Sequence, residues 1–194
     1  VIGDIMLDHY IIGYVKRLSP EAPVPIVNVD DNVYKIGGAG NVALNLSGLG
    51  INTFIVGEIG NDYSGEVLKD LFKQNGISTK NLIKKKGPTT TKTRIMGGQQ
   101  QMVRLDYEEL SSGPSETELK KILKLISNGP SGIIISDYEK GFLSNTALKK
   151  IIHAANKKNI PILIDPKGKD LEKYRGATAI TPNKKEAYLL ANLT

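Results

Sequence analysis

Short apolar runs alternate along this chain with longer stretches whose apolar residues recur at helical spacing. The runs at 52–56, 132–136, 161–164 and 178–180 are brief and rich in β-branched side chains, as buried strands are. Helical periodicity covers 41–49, 64–74, 115–126, 144–157 and 184–190. Ser115 with Glu118, and Asn145 ahead of its apolar face, stand where helices start. A buried strand followed by an amphipathic helix, repeated, predicts an α/β fold: a mostly parallel sheet with helices on both faces, joined by right-handed crossovers.

Two segments break this rhythm. Residues 10–29 and 82–105 alternate apolar with polar side chains and carry Pro or Gly. Within the second, 89–94 and 99–104 read as a hairpin around Gly97-Gly98. These segments predict a small β-sheet lid over the α/β core, and an antiparallel extension of the main sheet is the alternative. The whole of 1–194 then reads as one domain, with lid segments at about 10–30 and 82–105.

Composition narrows the class. The chain has 194 residues, 40% hydrophobic and 24% charged, enough for a substantial core in an ordinary soluble protein. It contains no cysteine, which excludes disulfides and thiolate metal sites and fits a reducing, cytoplasmic setting. No apolar run approaches the length of a membrane span. The N-terminus opens on Val1-Ile2-Gly3-Asp4 without a charged leader or an initiator Met, so we expect the natural protein to begin upstream. The net charge of +6 comes largely from Lys pairs and one triplet. Those pairs fall mostly on polar helix sides rather than on one face with aromatic or Arg readers, which argues for solvated surfaces and against nucleic acid.

Candidate chemistry gathers at strand ends, where α/β folds place their ligands. Asp4 and Asp8 flank Ile5-Met6-Leu7. A carboxylate there accepts strong hydrogen bonds from sugar hydroxyls, while a turn Asp satisfying backbone N–H groups is the structural alternative. Gly37-Gly38-Ala39-Gly40-Asn41 opens an apolar-periodic helix; such glycines permit close backbone approach beside the free N–H groups of a helix start. The same stretch matches a dinucleotide-binding fingerprint through Gly38, Gly40 and Ala43, with Glu58 about 20 residues on. The preceding 33–36 is a poor buried strand, which weakens that reading. In Thr181-Pro182-Asn183-Lys184-Lys185-Glu186, Asn183 and Glu186 lie one helical turn apart and can face one site.

Asp62 or Ser64 is placed to cap the helix that follows Gly57-Glu58-Ile59-Gly60. Asp137 and Lys167 end further strands and point to the crevice, with Lys167 able to reach a phosphate. Arg104, near Asp106, is either a lid residue touching substrate or a surface ion pair. His9 and His153 are the only histidines, and His153 lies on a Lys-rich helix; no pattern calls for a Ser-His-Asp nucleophile, and no His or carboxylate cage at metal-ligand spacing is present. A Walker A loop is also absent.

Taken in order, these motifs resemble the ribokinase-like carbohydrate kinases, also called the phosphofructokinase-B family. The resemblance rests on Gly37-Gly38-Ala39-Gly40-Asn41-Val42-Ala43, Gly57-x-x-Gly60-x-Asp62-x-x-Gly65 and Thr181-Pro182-Asn183-x-x-Glu186, and it runs through essentially the whole chain. Within the family, several stretches are similar to the branch acting on bacterial heptose 7-phosphate. They are Gly3-Asp4-Ile5-Met6-Leu7-Asp8, Leu18-Ser19-Pro20-Glu21-Ala22-Pro23-Val24-Pro25, Arg104-Leu105-Asp106-Tyr107-Glu108, Ser136-Asp137-Tyr138-x-Lys140-Gly141 and Ile164-Asp165-Pro166-Lys167-Gly168.

The resemblance implies ATP-dependent phosphorylation of the anomeric hydroxyl of D-glycero-D-manno-heptose 7-phosphate, feeding ADP-heptose and lipopolysaccharide core synthesis. It implies Mg²⁺ as cofactor, a sugar phosphate and ATP as small-molecule partners, and a homodimer through the lids. An adenylyltransferase often follows such a kinase in the same protein. By the same resemblance Asp8, Gly37, Gly38 and Asn41 belong to the sugar site. Asn183, Lys184, Lys185 and Glu186 belong to the nucleotide site, with Glu186 reaching Mg²⁺ through water. Asp137, Lys167 and Arg104 are further substrate contacts.

The family's catalytic base is an Asp in a Gly-Ala-Gly-Asp motif that these 194 residues do not contain. We therefore expect the base to lie C-terminal to Thr194. The chain then reads as a kinase domain lacking its C-terminal third and, on its own, inactive. Another sugar kinase of the family, or a non-catalytic binding module of the same fold, are the rival readings.

Overall fold

The computed structural model describes residues 1–168 and 170–190. The stretch running up to Thr194, beyond which the catalytic base is expected, lies outside the described residues. The chain enters through a two-residue strand β1 (Ile2–Gly3) and, after Asp4 alone, continues as β2 (Ile5–Leu18). It turns back through β3 (Pro25–Gly38), which runs straight into helix α1 (Ala39–Gly48). Then follow β4 (Gly57–Ile59), α2 (Tyr63–Gln74), β5 (Leu82–Lys84), the hairpin β6 (Thr91–Gly97) and β7 (Gln100–Tyr107), and α3 (Glu116–Ser127). The remainder alternates β8 (Ile133–Ser136), α4 (Asn145–Asn156), β9 (Ile162–Asp165), a 3-10 turn Glu172–Tyr174, β10 (Ala179–Ile180) and α5 (Lys184–Leu190).

The central sheet is parallel throughout, in the order β1-β8-β9-β10. Ile133, Ile135, Ile162 and Ile164 on its middle strands are buried against Ile122 and Ile126 of α3 and Leu148, Ile151 and Ile152 of α4. Each such side chain contributes about 1.5–3 kcal/mol by leaving water. A second cluster, including Leu7, Ile36, Ala43, Ile59, Leu68 and Phe72, binds α1 and α2 to the root of β2 and β3. The helix starts follow local chemistry. Ser115 and Glu118 form a reciprocal capping box on α3, and Asp62 caps α2 by accepting from Gly65 N–H at 2.9 Å. On α4 the cap is Ser144, one residue ahead of the expected Asn145.

Two other expectations shift. Helix α1 begins at Ala39 rather than 41, because β3 carries the backbone up to Gly38 and leaves no loop. The strand expected at 52–56 is realised at Gly57–Ile59, pairing in parallel with β5, while Val56 and Phe54 make only isolated bridges. Gly57 permits this packing, since a Cβ there would lie 2.4 Å from the Gly3 carbonyl oxygen.

Apart from β5, which pairs with β4, the alternating segments lie in a separate four-stranded sheet, β3-β2-β6-β7, with no ladder to the central one among the described residues. An edge extension of the main sheet is therefore excluded. Its strands are longer than the sequence suggested: β2 leaves the buried core at Ile5–Leu7 and runs unbroken out to Leu18. Register gives this outer sheet two unlike faces. One carries the row Lys35, Asp8, Lys92, Asp106 and the next row Tyr10, Arg94, Arg104; the other carries Ile11, Ile95, Val103 and, one row on, Leu105.

Candidate functional site

The polar face of the outer sheet looks toward the loops that follow β8 and β9. Lys140, just past β8, reaches Glu108, just past β7, with Nζ–Oε1 at 2.8 Å, which ties the two layers across a crevice. Asp8 sits on this face midway between core and sheet tip. Its Oδ1 accepts from Arg94 Nη1 at 2.5 Å, and both side chains are about one-fifth exposed. Its other oxygen lies over Gly37, where a Cβ would stand 2.5 Å away. The absent side chain of Gly37 is thus what lets the carboxylate lie against the start of α1.

Gly38 takes φ +58, a region open mainly to glycine, and a Cβ there would meet the Asp4 carbonyl at 2.3 Å. Ala39 N–H donates to that carbonyl at 2.9 Å, but no side chain caps α1. Its first turn thus presents backbone donors beside Asp8 and the exposed Asn41. The backbone at Gly37 and Gly38 is thus packed too closely against Asp8, Met6 and Asp4 for side chains at these positions.

Asp4, left open between a turn and a ligand role, is 4% exposed, and Oδ2 accepts from Tyr138 N–H at 2.7 Å and Lys140 N–H at 3.3 Å. It holds the loop after β8. Burial pushes its carboxyl above the ordinary range, against the pull of those two N–H groups.

Asp137 differs from the sequence expectation of a substrate contact. Its carboxylate is buried: Oδ1 accepts from Glu139 N–H, and Oδ2 from Lys173 Nζ at 2.9 Å and from the Tyr174 hydroxyl at 2.6 Å. An oxygen pair so engaged belongs to the wall behind the crevice. The exposed residue at this strand end is Tyr138; burial raises its phenol's pKa, and the charges of Asp165, Lys167 and Asp8 also act on it. It stands between the two halves of the crevice.

At the ends of β9 and β10 the predicted nucleotide residues Asn183 and Glu186 are joined by Lys167, which the family resemblance places among the substrate contacts instead. Lys167 Nζ contacts Glu186 Oε1 at 2.7 Å. Asn183 N–H donates to Glu186 Oε2 at 2.9 Å, and Asn183 Oδ1 accepts from Glu186 N–H at 3.0 Å. Lys167 and these Asn183 bonds hold the Glu186 carboxyl below its ordinary range, and Glu186 in turn raises the Lys167 ammonium. Asp165 beside them is raised by burial and by the Glu186 charge. Lys184 and Lys185 are exposed on α5.

Arg104 is the second departure. It lies on β7 with its guanidinium bonded to Asp106 at 2.9 and 3.0 Å, the surface ion pair among the two readings. Register nonetheless sets it beside Arg94 on the polar face. Arg94, Lys92 and Lys140 were missed by sequence reasoning. The signal was available in the period-two placement of Lys92 and Arg94, on the same strand face as Asp8's row.

In the Gly57-x-x-Gly60-x-Asp62-x-x-Gly65 motif the polar groups bond to one another and to Thr89. Asp62 accepts from Gly65 N–H, from Thr89 N–H at 2.8 Å and from the Thr89 hydroxyl at 2.6 Å, and that hydroxyl accepts from Gly60 N–H. Among the described residues there is no group of three or more His, Cys, Asp or Glu that could cage a metal. Glu186, with Asp165 beside it and lysines nearby, suits instead a Mg²⁺ that arrives on phosphates and keeps its waters. No described helix is long and apolar enough to cross a membrane.

Residues 1–194 match the family described as pfkB family carbohydrate kinase. The chain is 48% identical over 190 residues to the bifunctional protein HldE of Methylobacillus flagellatus, covering 96% of this chain and 39% of that protein. It is 44% identical over 196 residues to HldE of Aliarcobacter butzleri, covering 100% and 41%. The chain thus spans about two fifths of the length of these curated relatives.

Among solved structures, the tetrameric inhibited form of Escherichia coli phosphofructokinase-2 superposes with a TM-score of 0.73 at 22% identity, covering 99% of this chain and 64% of that one. An Arabidopsis thaliana ribokinase complexed with ribose and ATP gives 0.71 at 16%, covering 98% and 61%. The match over the full chain, the HldE relatives and the ribokinase-like architecture lead to one conclusion: this chain belongs to the pfkB family of carbohydrate kinases.

Proposed function

We propose that the complete protein transfers the γ-phosphoryl group of ATP to the anomeric hydroxyl of D-glycero-D-manno-heptose 7-phosphate, giving the 1,7-bisphosphate. The observation that carries the reading is the polar sheet face. Asp8 offers a carboxylate to sugar hydroxyls, and Lys92 and Arg94 stand within two rows of it, each facing a carboxylate, with Arg104 beside Arg94 in its pair with Asp106. A face so charged suits a sugar that already bears a phosphate. The names of the HldE relatives support the heptose assignment.

Asp8, Gly37, Gly38 and Asn41 position the acceptor hydroxyl, while Lys167, Asn183 and Glu186, with Lys184 and Lys185 nearby, receive the nucleotide phosphates. Mg²⁺, when bound, would neutralise phosphate charge there and be met by Glu186 through water. Catalysis of this kind is positioning and charge stabilisation. We place the reaction in the cytoplasm, where ATP is made. We also read the outer sheet as a lid, and its exposed Val103 and Leu105, beside Ile11 and Ile95, as the face joining two lids in a homodimer.

The test is phosphate transfer by the complete protein to a panel of sugars and sugar phosphates. Turnover of heptose 7-phosphate well above hexose phosphates is expected; activity confined to another sugar, or nucleotide binding with no transfer, refutes the assignment. The 194 residues alone carry no Gly-Ala-Gly-Asp motif, and we assign the catalytic base to a position beyond Thr194. They should therefore release no ADP, since loss of a general base and of oxyanion-type stabilisation each costs about 100-fold or more.

A further inference from the structure

Behind the nucleotide residues lies a pair of side chains with no role in the scheme above. Lys173 and Tyr174 end the 3-10 turn after β9, and both are buried, at 8% and 3% exposure. A buried lysine needs strong compensation, and Lys173 has it: Nζ lies 2.9 Å from Asp137 Oδ2 and 3.7 Å from Glu139 Oε1. Tyr174 shares the same Asp137 oxygen, donating to it at 2.6 Å, and its own oxygen accepts the Lys167 N–H at 3.0 Å. The loops after β8 and β9 are thereby joined through one hydroxyl and one ammonium.

The backbone on both sides is committed to this arrangement. Glu139 takes φ 55, unusual for a non-glycine residue, and Gly168 opposite takes φ 78. A Cβ on Gly168 would fall 2.0 Å from Glu139 Oε1, the tip of a half-exposed side chain that can swing aside, so it is the positive φ that favours glycine here. Such conformations persist where surrounding contacts over-determine them. What the latch holds in place is the Lys167 backbone, and with it the ammonium that meets Glu186.

We propose that Tyr174, anchored by the Asp137–Lys173 ion pair, is a positioning residue that fixes Lys167 for the nucleotide phosphates. The proposal rests on the kinase reading of the site and concerns residues that never touch substrate.

The test uses the complete protein and a non-hydrolysable ATP analogue with Mg²⁺, followed by calorimetry, so that nucleotide binding is read without turnover. Tyr174→Phe should weaken analogue binding about tenfold while the KM for sugar phosphate stays within about twofold, the pattern of one lost hydrogen bond felt on one side of the site. Because Tyr174 is argued to act through Lys167, Lys167→Met and the double variant should lose the same affinity; losses that add overturn the proposal, as residues without shared partners add. Unchanged analogue affinity in Tyr174→Phe overturns it too, as does an equal loss on the sugar side. Should Tyr174→Phe not fold, Lys173→Arg carries the test. It keeps the charge on Asp137, so nucleotide binding should fall by less than in Lys173→Met; equal losses in the two overturn the proposal. Absence of any transfer by the wild-type protein would remove the kinase reading itself, whereas normal wild-type transfer with indifferent variants removes only the latch.

Discussion

Asp62→Ala tests whether the second glycine motif is scaffold or ligand site. The carboxylate accepts three hydrogen bonds, from Gly65 N–H, Thr89 N–H and the Thr89 hydroxyl. Loss of the cap on α2 costs about 1 kcal/mol. Thr89 is 1% exposed, so its N–H would be left buried without an acceptor, at a further 1–3 kcal/mol or so. The hydroxyl can turn elsewhere and adds less. The expected loss is about 3 kcal/mol, a large share of the roughly 5–15 kcal/mol typical of a domain.

Urea unfolding of the complete protein, followed by circular dichroism, would read it as a lower midpoint at unchanged slope. Asp62→Asn, which keeps an acceptor oxygen, should lose about 1 kcal/mol. The pH dependence has a definite sign. Burial alone would raise the Asp62 carboxyl, but the Thr89 and Gly65 bonds win and hold it below the ordinary value of 3.8. Its stabilisation is therefore present above that pH and is lost as pH falls through the lower folded value. Asp62→Ala should flatten that acid limb. A variant within about 0.5 kcal/mol of wild type, or one of normal stability with a raised KM for sugar phosphate, would refute the scaffold reading.

Three further outcomes are expected. Gly37→Ala puts a Cβ 2.5 Å from Asp8 Oδ2 and should lower kcat/KM for the sugar phosphate about 10- to 100-fold with the KM for ATP unchanged; steady-state kinetics with each substrate varied decides it, and an ATP-side defect would contradict the assignment. Glu186→Gln removes the charge facing Lys167 and should raise the Mg²⁺ concentration needed for half-maximal rate several-fold while sugar binding survives; an unmoved Mg²⁺ dependence speaks against Glu186. Val103→Glu with Leu105→Glu places charges on the apolar lid face and should give a monomer by light scattering, whereas an unchanged dimer would mean that the subunits join elsewhere.

The sequence by itself determined the alternation of parallel strands and helices, because burial on one face writes a period into the chain whatever its neighbours are. It also determined the cap on α3, where Ser115 and Glu118 interact within one turn, and the pairing of Asn183 with Glu186, again a local contact. The glycines at 37 and 38 were legible for the same reason: their backbone needs are local.

What the sequence left undecided lies between residues far apart in the chain. Asp137 looked like a ligand residue because it ends a strand; only the return of the chain at Lys173 and Tyr174 showed that both its oxygens were taken. Arg94 looked like one cation in an alternating run until the parallel pairing of β6 with β2 set it against Asp8. Period-two patterning assigns residues to faces but not faces to partners, and short-range chemistry cannot reveal which carboxylate a distant lysine will satisfy. Those choices were made by strand order and by the cost of burying an unpaired charge, and they belong to the tertiary structure alone.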